Sequence, residues 1–367
     1  MPSKVKETLL ISPFFIFFLV HSSQTGIGML SFQLDLAKEA GYDAWIGILL
    51  SGLLLHIILF IMFKLLDHSR EGDIFSLHRD CFGNIIGNTL SIVLLAHFLL
   101  VVTTIFRSYV EVLQVWAFPA ITAWELTLVI SVIVYYIVSA GFRVITGMTF
   151  FSTIVPIILL FLLIYTLKYG QFTNLMPILN HDTLDILKSM KVPMLAFLGF
   201  ESLLIYLPFI RSNNKVKKWA HLGLLFTTIT YTTLTIITFA FFTEGHLLNI
   251  TWPTLHMTKI VRIPLIERFE YIFIFSWLVV ILPPICLTIW SVVRGFKVIL
   301  NFKPSYTLLG TLILVNISNL LIKDKDSSEL LYKITSEIGF YLLIAYVPLL
   351  YVFVLVRSKI KKTTINS

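Results

Sequence analysis

The sequence predicts an all-α polytopic membrane protein of about ten transmembrane helices, arranged as an inverted five-plus-five repeat with the first and sixth helices broken. Three observations carry this. The 367 residues are 57% hydrophobic and 13% charged, with a mean hydropathy of +0.90, whereas a soluble domain is about half apolar and a quarter charged. Apolar runs of bilayer-crossing length, roughly 20 residues each, recur from Leu9 to Val356. Two of these runs are interrupted by glycine and polar residues at equivalent places.

The spans are expected at 8–36, 43–66, 83–115, 122–140, 144–167, 189–210, 217–243, 265–299, 305–322 and 333–356, each bounded by charge, Pro, Gly or Asn clusters. They use most of the chain and leave only short loops, so 1–367 reads as a single transmembrane domain without a soluble catalytic unit of ordinary size. Lys4 and Lys6 precede the first apolar run, but no small-residue cleavage site follows, so this run is read as a retained span and not a signal peptide.

The formal net charge of +8 reports topology and not a nucleic-acid partner. With a cytoplasmic N-terminus and ten spans, seventeen Lys and Arg fall inside and ten outside, with Arg107 within a span. The positive-inside rule therefore places both termini in the cytoplasm. Cys81 and Cys286 are too few and too far apart for a disulfide framework or thiolate metal cage.

The span starts at 8, 43, 83, 122 and 144 have counterparts at 189, 217, 265, 305 and 333. Five is odd, so a second half sharing the fold of the first must lie upside down, with repeat one at about 8–167 and repeat two at about 189–356. The first span carries Ser22-Ser23-Gln24-Thr25-Gly26-Ile27-Gly28-Met29 and the sixth carries Gly199-Phe200-Glu201-Ser202, with Gly26 and Gly199 lying 173 residues apart. Backbone at membrane depth leaves the helix only where protein or a wet cavity satisfies its polar groups. A cavity shared by the two breaks meets that condition.

In such a cavity the half-helix expected to begin near Met29 offers free N–H groups and a positive dipole end, which suits a carboxylate. The carbonyls left free at the opposite half-helix suit an ammonium. Thr25, Gly26, Ile27 and Gly28 with Gly199, Phe200 and Glu201 are therefore the candidate ligand-binding residues. The alternative for the glycines is close helix packing. Glu201 stands out, because a carboxylate in mid-span costs ~3 kcal/mol and ordinarily faces a cavity, a partner or a proton path. Arg107 and Glu111, four apart in the third span, read as an internal ion pair. His21, His56 and His97 stand apart in sequence and read as packed or cavity-lining groups. Asp35 and Glu125 read as interfacial. No Walker loop, nucleophile elbow or metal motif is present, so neither an enzyme nor a resident cofactor is expected.

Several stretches together carry a resemblance: Ala40-Gly41-Tyr42-Asp43-Ala44-Trp45-Ile46, Met176-Pro177-Ile178-Leu179, Phe197-Leu198-Gly199-Phe200-Glu201 with Leu207-Pro208, Trp252-Pro253-Thr254, and Ile266-Glu267-Arg268-Phe269-Glu270 with Trp277. In order and spacing the chain resembles the spore-germination permease family, itself similar to the amino acid, polyamine and organocation transporter superfamily. The resemblance implies the B subunit of a nutrient-germinant receptor in the spore inner membrane, working with A-type and C-type subunits and binding a small nutrient, such as an amino acid, in a transporter-like pocket. A proton- or cation-coupled amino-acid transporter is the alternative, and a scaffold or channel with a vestigial pocket is the third reading. Two departures from the family pattern stand out. Ile27 replaces the alanine of a Gly-Ala-Gly break and Gln33 stands where a proline is common, while the Leu-Pro-x-Thr-Pro stretch is degraded to Phe118-Pro119-Ala120-Ile121-Thr122-Ala123. Ile27 is expected to narrow the pocket.

Overall fold

The computed structural model describes residues 5–212, 214–262, 264, 267–322 and 324–366. Lys4, Ile266 and Lys323, which enter the charge and motif readings, and residue 265, where the eighth span was expected to start, lie outside the described residues. The described chain is helical almost throughout. The helices are α1 (Phe15–Gln24), α2 (Phe32–Ala40), α3 (Ala44–Leu66), α4 (Ile74–Trp116), α5 (Ala123–Ser139), α6 (Phe142–Leu163), α7 (Thr183–Ser189), α8 (Lys191–Ala196), α9 (Leu203–Tyr206), α10 (Lys215–Phe241), α11 (Glu244–Leu247), α12 (Pro253–Thr258), α13 (Phe269–Leu300), α14 (Pro304–Leu321), α15 (Lys325–Tyr341) and α16 (Val347–Asn366).

Local chemistry sets the ends. Asp73 caps α4 by accepting the Ser76 amide at 2.8 Å, Asp324 caps α15 by accepting the Ser327 amide at 2.7 Å, and Thr122 with Glu125 forms a capping box at α5. Pro253 and Pro304 occupy the first helical positions of α12 and α14, where no amide hydrogen is needed. The third span was expected from 83, and there α4 turns sharply, because Gly83 takes φ +76° and divides a short leading segment from the long helix. The tenth expected span is longer than the sequence pattern indicated: α15 begins at Lys325 and continues through a π-helical turn at Leu342–Tyr346 into α16.

Seven described helical stretches are long and apolar enough to cross a membrane, and three shorter apolar ones lie at Phe15–Gln24, Ala123–Ser139 and Phe200–Phe209. α13 packs along α4 and α6, α10 along α1 and α3, and α14 along α5. α15 lies against α4 and α8, and α16 against α3. The apolar groups of this bundle form one continuous core, with Trp277, Phe273, Phe197, Phe200 and Tyr231 among its fully buried side chains.

Both expected breaks occur. α1 stops at Gln24, Thr25 and Gly26 are extended, and a 3-10 turn at Ile27–Leu30 precedes α2. The second half-helix therefore starts at Phe32 and not near Met29. In the sixth span α8 stops at Ala196, Gly199 takes φ +117°, and the chain resumes through a 3-10 turn at Phe200–Ser202 into α9.

Candidate site at the crossing of the two broken helices

Gly199 brings the breaks together. A Cβ built on it would lie 2.3 Å from the Ser23 carbonyl oxygen, so only a glycine lets these two backbones meet at a positive φ. Tyr231 of α10 ties the same crossing from the side. Its ring packs between Phe32 and Phe197, with centroid distances of 4.8 and 5.0 Å, and its hydroxyl lies 2.9 Å from the Gln24 carbonyl and 3.4 Å from the Ala196 carbonyl. The carbonyl ends of both interrupted helices thus share one donor.

On the other side of the first break, the amides of Gly26, Ile27 and Gly28 have no acceptor among the described hydrogen bonds. Gly26 and Gly28 are partly exposed although nearly all their neighbours are buried, and a Cβ on Gly26 would meet nothing within 4 Å. Ile27 between them is buried. The Thr25 hydroxyl donates to the His21 carbonyl at 2.9 Å. The Met29 carbonyl accepts from Thr254, whose hydroxyl accepts in turn from the buried Gln33 amide at 2.9 Å. Gln33 thus anchors the second half-helix to α12.

Glu201 is fully buried. One carboxylate oxygen accepts the Gly199 amide at 2.6 Å; the other lies 3.5 Å from His97 Nε2, within ion-pair range but without hydrogen-bond geometry. That second oxygen, both ring nitrogens of His97, the Gln24 side-chain amide and the Tyr206 hydroxyl are all buried with no hydrogen-bond partner among the described residues. Such atoms are rare in folded proteins, since each costs ~1–3 kcal/mol. No Lys or Arg pairs with Glu201 among the described ion pairs. The crossing thus holds a buried carboxylate oxygen and several buried polar groups without partners among the described residues, and next to it three backbone amides without a described acceptor.

Phe200 is buried beside Glu201. His97, Tyr231, Thr254 and Gln33 join the crossing from α4, α10, α12 and α2. The remaining sequence-singled groups serve packing. His21 bonds to Thr227 at 2.8 Å, and His56 pairs with His221 at 2.8 Å. Arg107 and Glu111 do not form the expected ion pair among the described residues. Arg107 donates to Ser328 at 2.9 Å and Glu111 accepts from Tyr332 at 2.8 Å, because α15 lies against α4 and presents hydroxyls to each. Cys286 is buried in the core. Asp35 pairs with Lys38 at the exposed surface.

Asp43, at the start of the second span, ties down residues 179–181. It accepts the amides of Leu179, Asn180 and His181 at 2.7, 2.8 and 3.1 Å, and the His181 ring at 3.0 Å.

The profile of the family described as "Spore germination protein" matches residues 10–328. The chain is 39% identical over 352 residues to spore germination protein GerQB of Bacillus cereus, covering 96% of this chain and 98% of that one. It is 26% identical to spore germination protein YndE of Bacillus subtilis (strain 168) over 87% of this chain and 88% of that one, and 23% identical to spore germination protein B2 of the same organism over 71% of each. A solved structure of a Na+-coupled sialic acid symporter in a substrate-bound, outward-open state superposes with a TM-score of 0.61 at 10% identity, covering 96% of this chain and 78% of that chain. At that identity the likeness concerns the fold.

Proposed function

Since the chain belongs to the spore germination protein family, we propose that it is the membrane-embedded B-type subunit of a spore nutrient-germinant receptor, binding an amino acid or similar zwitterion at the crossing of its two broken helices. The observation that supports this is the meeting of the two helix breaks at Gly199 and Ser23, beside Glu201, buried with no Lys or Arg partner among the described ion pairs, and the amides of Gly26, Ile27 and Gly28, which have no described acceptor. Thr25 and Phe200 shape the wall, Gly199 joins the breaks, and Ile27 limits the ligand's size. Binding selects one arrangement of the broken helices, and A-type and C-type subunits read that arrangement out. The protein is not an enzyme in this reading and needs no cofactor.

In the same reading the chain crosses the spore inner membrane ten times, the three shorter apolar helices included, with both termini on the core side. The packing partnerships support an inverted repeat of about 8–167 and 189–356. When α1, α3, α4, α5 and α6 are exchanged for α8, α10, α13, α14 and α15, the pairs α3–α10, α4–α13 and α5–α14 map onto themselves. The pairs α6–α13, α1–α6, α1–α10 and α13–α14 map onto α15–α4, α8–α15, α8–α3 and α4–α5, all of which pack.

Equilibrium binding of a radiolabelled amino-acid panel to the purified full chain tests the proposal. Saturable binding that Glu201→Gln weakens supports it, and no binding of any zwitterion sinks it. The likeness to a Na+-coupled symporter favours a second reading, cation-coupled amino-acid transport. Ion-gradient-driven uptake into proteoliposomes distinguishes the two.

A further inference from the structure

Away from the helix breaks, a groove of about 510 Å³ opens on the outside of the bundle between α4, α13 and α14. Its floor is Leu99 and Phe296, the ring of Phe302 stacks over Phe296 at 6.2 Å and 10°, and its long wall is the face of α14 that carries Tyr306 and Gly310. Tyr306 and Phe302 are 70% and 54% exposed, so the groove faces the surroundings of the bundle and not its core. Lys303 sits at one end, its ammonium 5.8 Å from the Tyr306 ring and in no ion pair among the described residues.

Length and charge limit what can lie there. From residue 303 to 314 the α14 wall runs about 16 Å at 1.5 Å per residue, half of the ~30 Å hydrocarbon core. That is the depth of one leaflet, with the cation at the end where headgroups lie. No residue lining the groove is Asp or Glu, and no described ion pair reaches Lys303. Gly310 widens the middle, since a Cβ there would meet nothing within 4 Å.

We propose that this groove seats one acyl chain of an anionic glycerophospholipid from the surrounding bilayer, with the lipid phosphate on Lys303. The apolar walls take the chain and the cation selects the headgroup, as basic pockets between membrane helices do. The lipid bridges α13, which packs on α4 and α6, to α14, which packs on α5.

Native mass spectrometry of the purified full chain tests this, with equal amounts of phosphatidylglycerol and phosphatidylcholine added in detergent. The singly bound phosphatidylglycerol form should exceed the phosphatidylcholine form by about fivefold, the effect of one cation at a headgroup. Lys303→Gln should bring that ratio near one, while Lys64→Gln, a basic residue remote from the groove, should leave it unchanged. Gly310→Leu fills open space and should lower binding of both lipids at an unaltered thermal midpoint. The proposal is overturned by a wild-type ratio near one, by an equal fall with Lys64→Gln, or by undiminished lipid binding in Gly310→Leu. It is equally overturned if a photo-crosslinker at position 310 captures another polypeptide in spore membranes instead of lipid.

Discussion

Gly199→Ala is expected to destabilise the crossing of the two broken helices by about 2–6 kcal/mol. Two costs add. A side chain at φ +117° holds a sparsely populated backbone conformation, worth about 1–3 kcal/mol. Its Cβ would lie 2.3 Å from the Ser23 carbonyl oxygen, which is backbone and cannot rotate away, and relieving such overpacking costs about 1–3 kcal/mol more. Against a typical total stability of about 5–15 kcal/mol, the loss is large. Gly28→Ala is the internal control, because its Cβ would meet only the Ala196 Cβ at 4.0 Å, an ordinary contact, and should change stability by less than about 1 kcal/mol. Denaturant unfolding of the purified full chain in mixed micelles, followed by near-ultraviolet circular dichroism, measures both variants. If Gly199→Ala unfolds within 0.5 kcal/mol of wild type by order of magnitude, the close approach of Gly199 to Ser23 is refuted.

Glu201→Gln keeps shape and removes charge; if the carboxylate holds a ligand ammonium by a charge-assisted bond of ~1.5–3 kcal/mol, half-maximal nutrient concentration in a spore germination assay should rise about tenfold or more. An unchanged dose-response curve at normal abundance by immunoblot returns Glu201 to a structural role. Tyr231→Phe leaves the Gln24 and Ala196 carbonyls without their shared donor and should cost about 1–3 kcal/mol, read by the same unfolding assay; no change would mean that water replaces the phenol. Asp43 accepts the amides of Leu179, Asn180 and His181, so Asp43→Asn should raise hydrogen exchange at those three amides at neutral pH; exchange unchanged in the variant would contradict the assignment. Cysteines placed at Lys217 and Lys218 should label from the side opposite to cysteines at Lys259 and Arg262, and labelling from one side would rule out ten crossings.

Much of this was legible because membrane insertion imposes long apolar runs, and runs can be counted. The breaks were legible too, since Gly26-Ile27-Gly28 and Gly199 interrupt those runs with residues that only a special backbone needs. What sequence could not show is which side chains converge. His97 sits in an apolar stretch 104 residues before Glu201 with nothing local to mark it, yet lies 3.5 Å from that carboxylate. Tyr231 is one tyrosine among fourteen, and only the packing of α10 on α1 gives its hydroxyl two carbonyls. The Arg107–Glu111 spacing was correct for a helix, but the pairing failed because α15 offers competing hydroxyls, a tertiary fact outside the reach of periodicity. The start of the second half-helix also shifted from Met29 to Phe32, because a 3-10 turn intervenes and propensity places such turns poorly.

The Tyr231 hydroxyl carries a single proton but faces two carbonyls, at 2.9 and 3.4 Å. It therefore cannot hold both at full strength, and the preference is built into the distances: the Gln24 side is gripped and the Ala196 side is only leaned upon. If the sixth span swings away from the first, the weak contact parts at little cost while the strong one persists. If the first span moves instead, the strong bond must break before the proton can pass to the other acceptor. One phenol thus holds the first break more closely than the sixth, so a parting of the two spans on the Ala196 side costs less than one on the Gln24 side.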